Sequence, residues 1–376
     1  MKKLFIVVNV DYFFLSHRKD IALRALKEGF DVTIIAEDTG KSKEIESLGL
    51  HFINLPINKT GTNIFQELKT FRFLYSLFKK ERPEIVHLVG LKTILWGGLA
   101  AKLVKVKGLV TAVSGLGVMF SPEYNKKLMP KAILKVLRFI HNRKNTYCVF
   151  HNTDDIDLFI KNKIIDSKYC IRTMGSGIDL NQYKYKEEPK SDKLRVLFTA
   201  RMVEDKGVLV LIEAANILRD KYQGKVEFLL CGGLETNPLA VSKEKLNELC
   251  DGDYIQWLGK RSDVKELLES SHIFAFPSYY KEGLPKSCIE AAAIGRPIIT
   301  CDSVGCRDTV VDGKTGFLVP IKDSKTVAEK LDILFEDTEL RKTMGIKSRK
   351  YAEDKFSIED VIQVHLDIYN KFLEEL

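Results

Sequence analysis

Along the chain, short unbroken apolar runs alternate with longer stretches in which apolar residues recur every three or four positions. The runs KLFIVVNV, DVTIIAE, HFINLPI, EIVHLV, GLVTAV, TYCVFHN and YCIRTM occupy the first half. Helical patterns, such as residues 17–28 and 63–80, lie between them. Near-continuous apolar strands separated by helices predict a parallel sheet covered on both faces. The pattern stops at YKYKEEPKSD, residues 183–192, which is polar, charged and aperiodic and reads as a linker. It restarts with KLRVLFTA, VEFLLCG, YIQWLG, IFAFPS, PIITC and GFLVP. The expectation is an α/β chain of two doubly wound Rossmann-like domains, residues 1–182 and 193–355, joined by the linker 183–192. Residues 356–376 predict a helix that packs back toward the first domain. Its Ile358, Val361, Ile362, Leu366, Tyr369 and Leu373 fall largely on one face. Ligands of such folds bind outside the carboxyl ends of the strands, so two facing domains create a cleft.

Composition narrows the class. The 376 residues, 45% of them hydrophobic, suffice for two ordinary domains. No stretch approaches the ~18 to 20 unbroken apolar residues of a membrane span. The start, MKKLFIVVNVDYFF, is interrupted by Asn9 and Asp11 and lacks a small-residue cleavage site, so it reads as the first buried strand of a cytoplasmic protein. The seven cysteines are scattered without a CxxC, which indicates reduced core thiols rather than a disulfide framework or a zinc site. The net charge of +8 is uneven, with 25 Lys and Arg against 12 acids in residues 1–150. That asymmetry points to an anionic partner for the first half.

The stretch EGLPKSCIE, residues 282–290, carries the candidate chemistry. Pro285 suits the first position of a helix, which puts Leu284 at a cap it cannot serve. The amides of Lys286, Ser287 and Cys288 are then open to a phosphate. Glu282 stays in the turn and Glu290 lies inside the helix, roughly 10 Å away, so the two carboxylates fit the hydroxyls of a nucleotide-sugar. Glu290 would hold the ribose and Glu282 the donor sugar. An ordinary strand–turn–helix with incidental glutamates is the alternative.

PSYYKEGLPKSCIEAAAIGRPIIT, followed by VGCRDTVVDGKTGFLVP, resembles the donor-site signature of the retaining GT-B glycosyltransferases of family 4. ARMVEDKG, residues 200–207, is similar to that family's segment after the first strand of the C-terminal domain. The resemblance implies a GT-B fold and transfer of a hexose or N-acetylhexosamine from a nucleoside-diphosphate sugar with retention of configuration. It makes Glu282, Arg201 and Lys206 the catalytic set, with the two cations on the diphosphate. Glu290, Gly283, Leu284, Pro285, Lys286 and Ser287 complete the donor site. Gly232 and Gly233 either let the backbone approach the donor or simply make a turn, and Lys260 and Arg261 line the base pocket. No cofactor or metal is expected; the DxD within DDID, residues 154–157, opens a helix, where acids are favoured.

The first half departs from the family. VNVDYFFLSHR stands where many relatives carry a glycine-rich loop, and TAVSGLGVMF stands where many carry a sugar-contacting histidine. Both segments resemble the branch that extends sugars on diphospho-undecaprenol, such as bacterial N-acetylgalactosaminyltransferases. That resemblance places Asp11, Ser16, His17, Arg18, Ser114, Gly115 and Gly117 at the acceptor side, with a lipid-linked sugar as acceptor. Residues 124–144 combine Lys126, Lys127, Lys131, Lys135, Arg138, Arg143 and Lys144 with an apolar remainder. Such a stretch suits the anionic inner face of the membrane, or else packs as an outer helix on the sheet.

Three other classes are weaker. A nicotinamide dehydrogenase needs a GxGxxG that neither GSGIDL nor SGLGVMF completes. A nucleotide-sugar epimerase shares the two-domain layout but needs no basic, apolar face. A nucleic-acid binder is suggested only by the basic charge, with no recognition motif, so no nucleic-acid partner is expected.

Overall fold

In the computed structural model, which describes residues 2–57, 64–116 and 128–374, the chain divides into two compact units. Unit 1 comprises residues 1–176 and 358–376, and unit 2 comprises residues 177–357.

Unit 1 opens with β1 (Lys2–Val10), α1 (Asp11–His17), α2 (Lys19–Lys27), β2 (Phe30–Glu37), α3 (Ser42–Ser47) and β3 (His51–Asn54). It continues through α4 (Ile64–Glu81), β4 (Ile85–Val89), α5 (Leu91–Val104), β5 (Gly108–Val113) and α6 (Leu128–His141). β6 (Thr146–Phe150), α7 (Thr153–Lys161) and β7 (Cys170–Arg172) follow. The seven strands are parallel in the order β3-β2-β1-β4-β5-β6-β7. β4, β5 and β6 are buried throughout, which is why they read as unbroken apolar runs.

Unit 2 repeats the plan. Its elements are β8 (Leu194–Thr199), α8 (Val208–Tyr222), β9 (Val226–Cys231), α9 (Lys243–Leu249), β10 (Ile255–Gly259) and α10 (Val264–Glu269). Then come β11 (Ile273–Phe276), α11 (Lys286–Ile294), β12 (Ile298–Cys301), β13 (Gly316–Val319), α12 (Ser324–Glu336) and α13 (Thr338–Lys355). The six parallel strands run β10-β9-β8-β11-β12-β13. In both sheets the order reverses at the first strand of the unit, and the loops on either side of that reversal form a natural ligand position.

The last helix, α14 (Ile358–Glu374), belongs to unit 1. Val361, Ile362, Leu366, Tyr369 and Phe372 are buried in one core with α1, α2 and one face of the sheet. Leu74 and Phe78 of α4, Ile94 and Ala100 of α5, and Leu137 and Ile140 of α6 form the core on the other face.

Two local expectations change. DYFF does not extend the first strand: the chain turns helical at Asp11, whose carboxylate accepts the Tyr12 amide at 2.6 Å within the first helical turn. Residues 183–192 are largely exposed, as a linker would be, but several of their groups are tied to the rest of unit 2. Glu188 is forked by Arg341 with both bonds at 2.7 Å, and the Lys186 amide donates to Ile294 at 3.0 Å.

Candidate active site

β8 and β11 are neighbours at the reversal in unit 2, so the loops that follow them meet at the carboxyl edge of the sheet. The loop after β8 carries Arg201 and Lys206; the loop after β11 carries Glu282 and the start of α11. Lys206 Nζ forms an ion pair with Glu282 Oε1, and both side chains are nearly buried, at 12% and 11% exposure. Ser278 Oγ donates to the same carboxylate oxygen at 3.2 Å. The ammonium also lies 4.6 Å above the Tyr280 ring, so the aromatic face adds to its hold.

The backbone around the pair is fixed from both loops. Tyr279 and Tyr280 donate their amides to the Asp205 carbonyl, each at 3.0 Å, and Ser278 Oγ reaches it at 3.2 Å. Gly207 takes φ +83°, and a side chain there would put Cβ 2.1 Å from the Pro277 carbonyl oxygen. Only glycine lets the two loops touch at this point. Burial pushes the Asp205 carboxyl above its usual range, with Lys206 opposing the shift and Glu282 adding to it.

The helix start differs in register from the expectation. Pro285 is the cap residue and Lys286 the first helical one, with no side-chain cap bond. The Cys288 amide donates to the Pro285 carbonyl at 3.1 Å, so it is not open to a phosphate. Gly283, Leu284 and Pro285 are buried, while Lys286 and Ser287 are half-buried. Glu290 sits one turn into α11, partly buried, and accepts a hydrogen bond from Tyr183 at 3.2 Å. Burial raises its carboxyl pKa, while Lys286 and Tyr183 pull it down.

The remaining donor-side candidates divide. Arg201 is half-exposed and pairs with Glu235 at 3.2 Å. Gly232 has no room for a side chain: a Cβ there would lie 1.6 Å from the Ala200 carbonyl oxygen. Gly233 adjoins the Lys260 stem, where a Cβ would make ordinary contact at 3.5 Å. Arg261 forks onto Asp263 at 2.8 and 2.5 Å, which engages the N–H edge of its guanidinium and not its planar face.

The sequence matches are of one kind with this geometry. Residues 181–351 match the family described as Glycosyl transferases group 1, and residues 3–146 match Glycosyl transferase 4-like. The chain is a GT-B glycosyltransferase of family 4. The enzyme is 28% identical over 369 residues to the N,N′-diacetylbacillosaminyl-diphospho-undecaprenol alpha-1,3-N-acetylgalactosaminyltransferase of Campylobacter jejuni, covering 94% of this chain and 95% of that one. It is 29% identical to the capsular polysaccharide biosynthesis glycosyltransferase CapM of Staphylococcus aureus, over 93% and 92% of the two chains. A glycosyltransferase structure from Rickettsia africae shares the fold with a TM-score of 0.81 and 21% identity, over 100% of this chain and 99% of that one. Anabaena HepE in complex with UDP gives 0.78 at 18%, over 99% and 100%.

In unit 1 of the enzyme the expected acceptor residues occupy the carboxyl edge of the sheet, but not all are placed to meet a ligand. Asp11 is fully buried and accepts from the Tyr12, Thr39 and Lys41 amides and the Thr39 hydroxyl, at 2.6 to 3.0 Å. Four donors saturate a carboxylate, so Asp11 anchors the loop after β2 instead of binding acceptor. Arg18 is buried too, donating to the His17 carbonyl at 2.9 Å and approaching His151 Nε2 at 3.4 Å. Ser16 Oγ lies 2.6 Å from His17 Nδ1, and the imidazole stacks on Phe13 at 4.3 Å. Ser114 and Gly115 follow β5 and are half-buried. Gly117, with residues 124–127 of the basic stretch, lies outside the described residues.

Sequence reasoning missed Ser278, Tyr280 and Tyr183. The first two stand within PSYYKEG, a loop segment with no periodic signal, and only the fold shows that they gather around the Lys206–Glu282 pair. Among the described residues no group of three or more His, Cys, Asp and Glu is arranged to hold a metal. Asp155 serves the start of α7, its amide bonded to the Asn152 cap at 2.8 Å.

Proposed function

We propose that the enzyme moves a hexose or N-acetylhexosamine, with retention of configuration, from a UDP-sugar to a sugar on a lipid diphosphate. The observation that carries the donor half is the Lys206–Glu282 pair, set beside Arg201 and the uncapped start of α11. In this reading Glu290 receives the ribose hydroxyls, Glu282 the donor sugar, and Arg201 and Lys206 the diphosphate. As the bond between the anomeric carbon and the phosphate oxygen breaks, charge growing on the nucleoside diphosphate meets both cations. The acceptor hydroxyl attacks from the same face and its proton passes to that leaving phosphate, so no separate base is required.

The acceptor half draws on the relatives. The Campylobacter jejuni enzyme is named for a diphospho-undecaprenol substrate, as is the UDP-Gal:alpha-D-GlcNAc-diphosphoundecaprenol alpha-1,3-galactosyltransferase of Escherichia coli, 25% identical over 91% of this chain. No helix among the described residues is long and apolar enough to cross a membrane. Contact with the inner face of the membrane is therefore peripheral in this reading, through α6 and its neighbours. Pro56 and, on α4, Phe65, Lys69, Arg72, Phe73 and Lys80 line a groove of about 540 Å³, and Phe65 is 79% exposed. This mixture of cations and exposed apolar surface suits anionic lipid.

The test is a panel of nucleotide-sugars against undecaprenyl-diphosphate sugars, with anomeric configuration read by NMR and excess EDTA present throughout. Transfer from a UDP-sugar to a lipid-linked acceptor, without loss in EDTA, is expected. A strict Mn²⁺ or Mg²⁺ requirement, an inverted product, or inversion at C2 of the free donor without transfer would overturn the reading.

A further inference from the structure

Tyr183 belongs to the stretch whose composition suggests a linker, yet its hydroxyl is placed on Glu290 Oε1 at 3.2 Å. The placement is built from several sides. Arg349 of α13 donates through one nitrogen to the Tyr183 carbonyl at 2.6 Å and to the Ala293 carbonyl at 2.7 Å. Ala293 lies on α11, the helix that bears Glu290, so one guanidinium ties the tyrosine backbone to the carboxylate's own helix. The Tyr183 amide donates to the Asp179 carbonyl at 2.8 Å, and the Lys186 amide to Ile294 of α11 at 3.0 Å. A half-buried phenol pinned in this way has one proton to give, and Glu290 Oε1 is where it goes.

We propose that Tyr183 is a positioning residue of the donor site, holding Glu290 so that its second oxygen meets the ribose hydroxyls of the nucleoside diphosphate. The proposal rests on the reading of Glu290 as the ribose ligand. With Oε1 taken, Oε2 is the oxygen left to accept from a diol, and the carboxylate plane is set by the phenol. The hydrogen bond also favours the ionised carboxylate against the burial that opposes it. Lys286 on the same helix acts in the same direction. Glu266 of α10 faces the phenol and, together with Glu290 and burial, keeps it protonated.

Tyr183→Phe tests this, with UDP affinity measured by calorimetry from pH 5 to 8 beside donor KM, kcat and melting temperature. UDP Kd and donor KM should rise about five- to tenfold, less than the full value of a hydrogen bond to a charged group because Tyr183 acts through Glu290. The kcat should stay within about twofold. The pH below which UDP affinity falls should move upward, because a carboxylate that loses a donor protonates more readily. The penalty should disappear with 2′,3′-dideoxy-UDP and in a Glu290→Gln background. If Glu290→Gln weakens UDP but Tyr183→Phe does not, Tyr183 does not position it. Equal losses of UDP and its dideoxy form, with no movement of the acid limb, would also overturn the proposal in favour of a merely structural tyrosine. If Glu290→Gln leaves UDP affinity unchanged, the ribose reading itself fails and takes the proposal with it.

Discussion

Arg341 and Arg296 in unit 2 and Arg18 in unit 1 are all buried, but their partners differ in kind. Arg341 is forked onto Glu188, and Arg296 donates to the carbonyls of Leu268, Glu187 and Glu269 at 3.1 to 3.3 Å. Among the described residues Arg18 has no carboxylate beside it, and its buried Nε has no partner. Its neighbours are imidazoles: His151 at 3.4 Å, with His87 and His365 stacked on each other at 5.2 Å nearby. Burial pulls both Arg18 and Arg296 down to about 10, but acids, Glu188 and Glu269, oppose the shift only at Arg296. Unit 2 thus settles its buried charge by pairing, whereas unit 1 settles it by keeping the surrounding histidines neutral.

The sharpest way to break this contrast is to remove each cation. Arg341→Met leaves the largely buried Glu188 without its partner and should destabilise unit 2 by about 3 kcal/mol or more. Arg18→Met removes a cation that no acid balances, so urea unfolding should register a loss below about 1 kcal/mol, or a gain. Equal losses at the two sites would mean that Arg18 has a counter-charge the contrast denies it.

Acid should separate the units as well. Burial depresses the pKa of His365 and His141 to about 4, and of His87 and His151 well below the usual value, and all four lie in unit 1. Among the described residues unit 2 has one such histidine, His272, also at about 4. An unfolded histidine takes its proton near pH 6.5, before these native ones do, so stability falls as pH drops from about 6.5 toward 4. His365 and His141 each cost on the order of 3 kcal/mol by the lower limit. Hydrogen exchange at pH 5 should therefore open unit 1 first, and His365→Gln should narrow the gap. Unit 2 opening first would reverse the argument.

At the candidate site the same pairing serves chemistry. Glu282→Gln removes the charge that Lys206 faces and a carboxylate meant for the donor sugar. Turnover should drop at least about tenfold, or 1.4 kcal/mol of transition-state binding, with the fold intact. Near-normal kcat with every plausible donor would detach Glu282 from the reaction.

What could be read in the sequence follows from where the physics is local. Buried parallel strands must be apolar on both faces, so LRVLFT, IVHLV and TYCVF announce themselves. The Lys206–Glu282 pair joins residues 76 positions apart, and nothing in either segment alone specifies the other. The resemblance to a known family supplied both residues, but not their contact. The stretch 183–192 misled for a related reason. Several of its polar groups look solvated until Arg341 and Arg349, more than 150 positions away, are folded onto them. Asp11 is the converse case, a carboxylate in a ligand-like position whose lone pairs are already taken by the backbone of residues 39 and 41.

The smallest effect concerns surface charge, which unit 1 also pairs in places, through Lys3–Glu81, Arg24–Glu359 and Lys41–Glu44, but not evenly along α4 and α6. Unit 2 pairs many of its outer cations: Arg195 with Glu227, Arg219 with Asp251, Lys221 with Asp332, Arg307 with Asp302. In unit 1, Lys69 and Arg72 of α4 and Lys131, Lys135 and Arg138 of α6 are exposed, and none has an acid partner among the described residues. Phe65 and Phe139 stand exposed beside them. Each such cation contributes on the order of 1 kcal/mol at an anionic surface, and salt weakens it. Apolar insertion adds roughly 25 cal/mol per Å² and is less sensitive to salt. A face with both should bind anionic vesicles and be only partly released by high salt. Replacing the five cations with Gln should weaken that binding and slow transfer to a lipid-linked acceptor severalfold. Transfer to a short, water-soluble acceptor should change little, because the donor residues belong to unit 2. Equal slowing with both acceptors would place the defect in the reaction and not at the membrane, and indifference to anionic vesicles would leave these unpaired cations without the partner assigned to them.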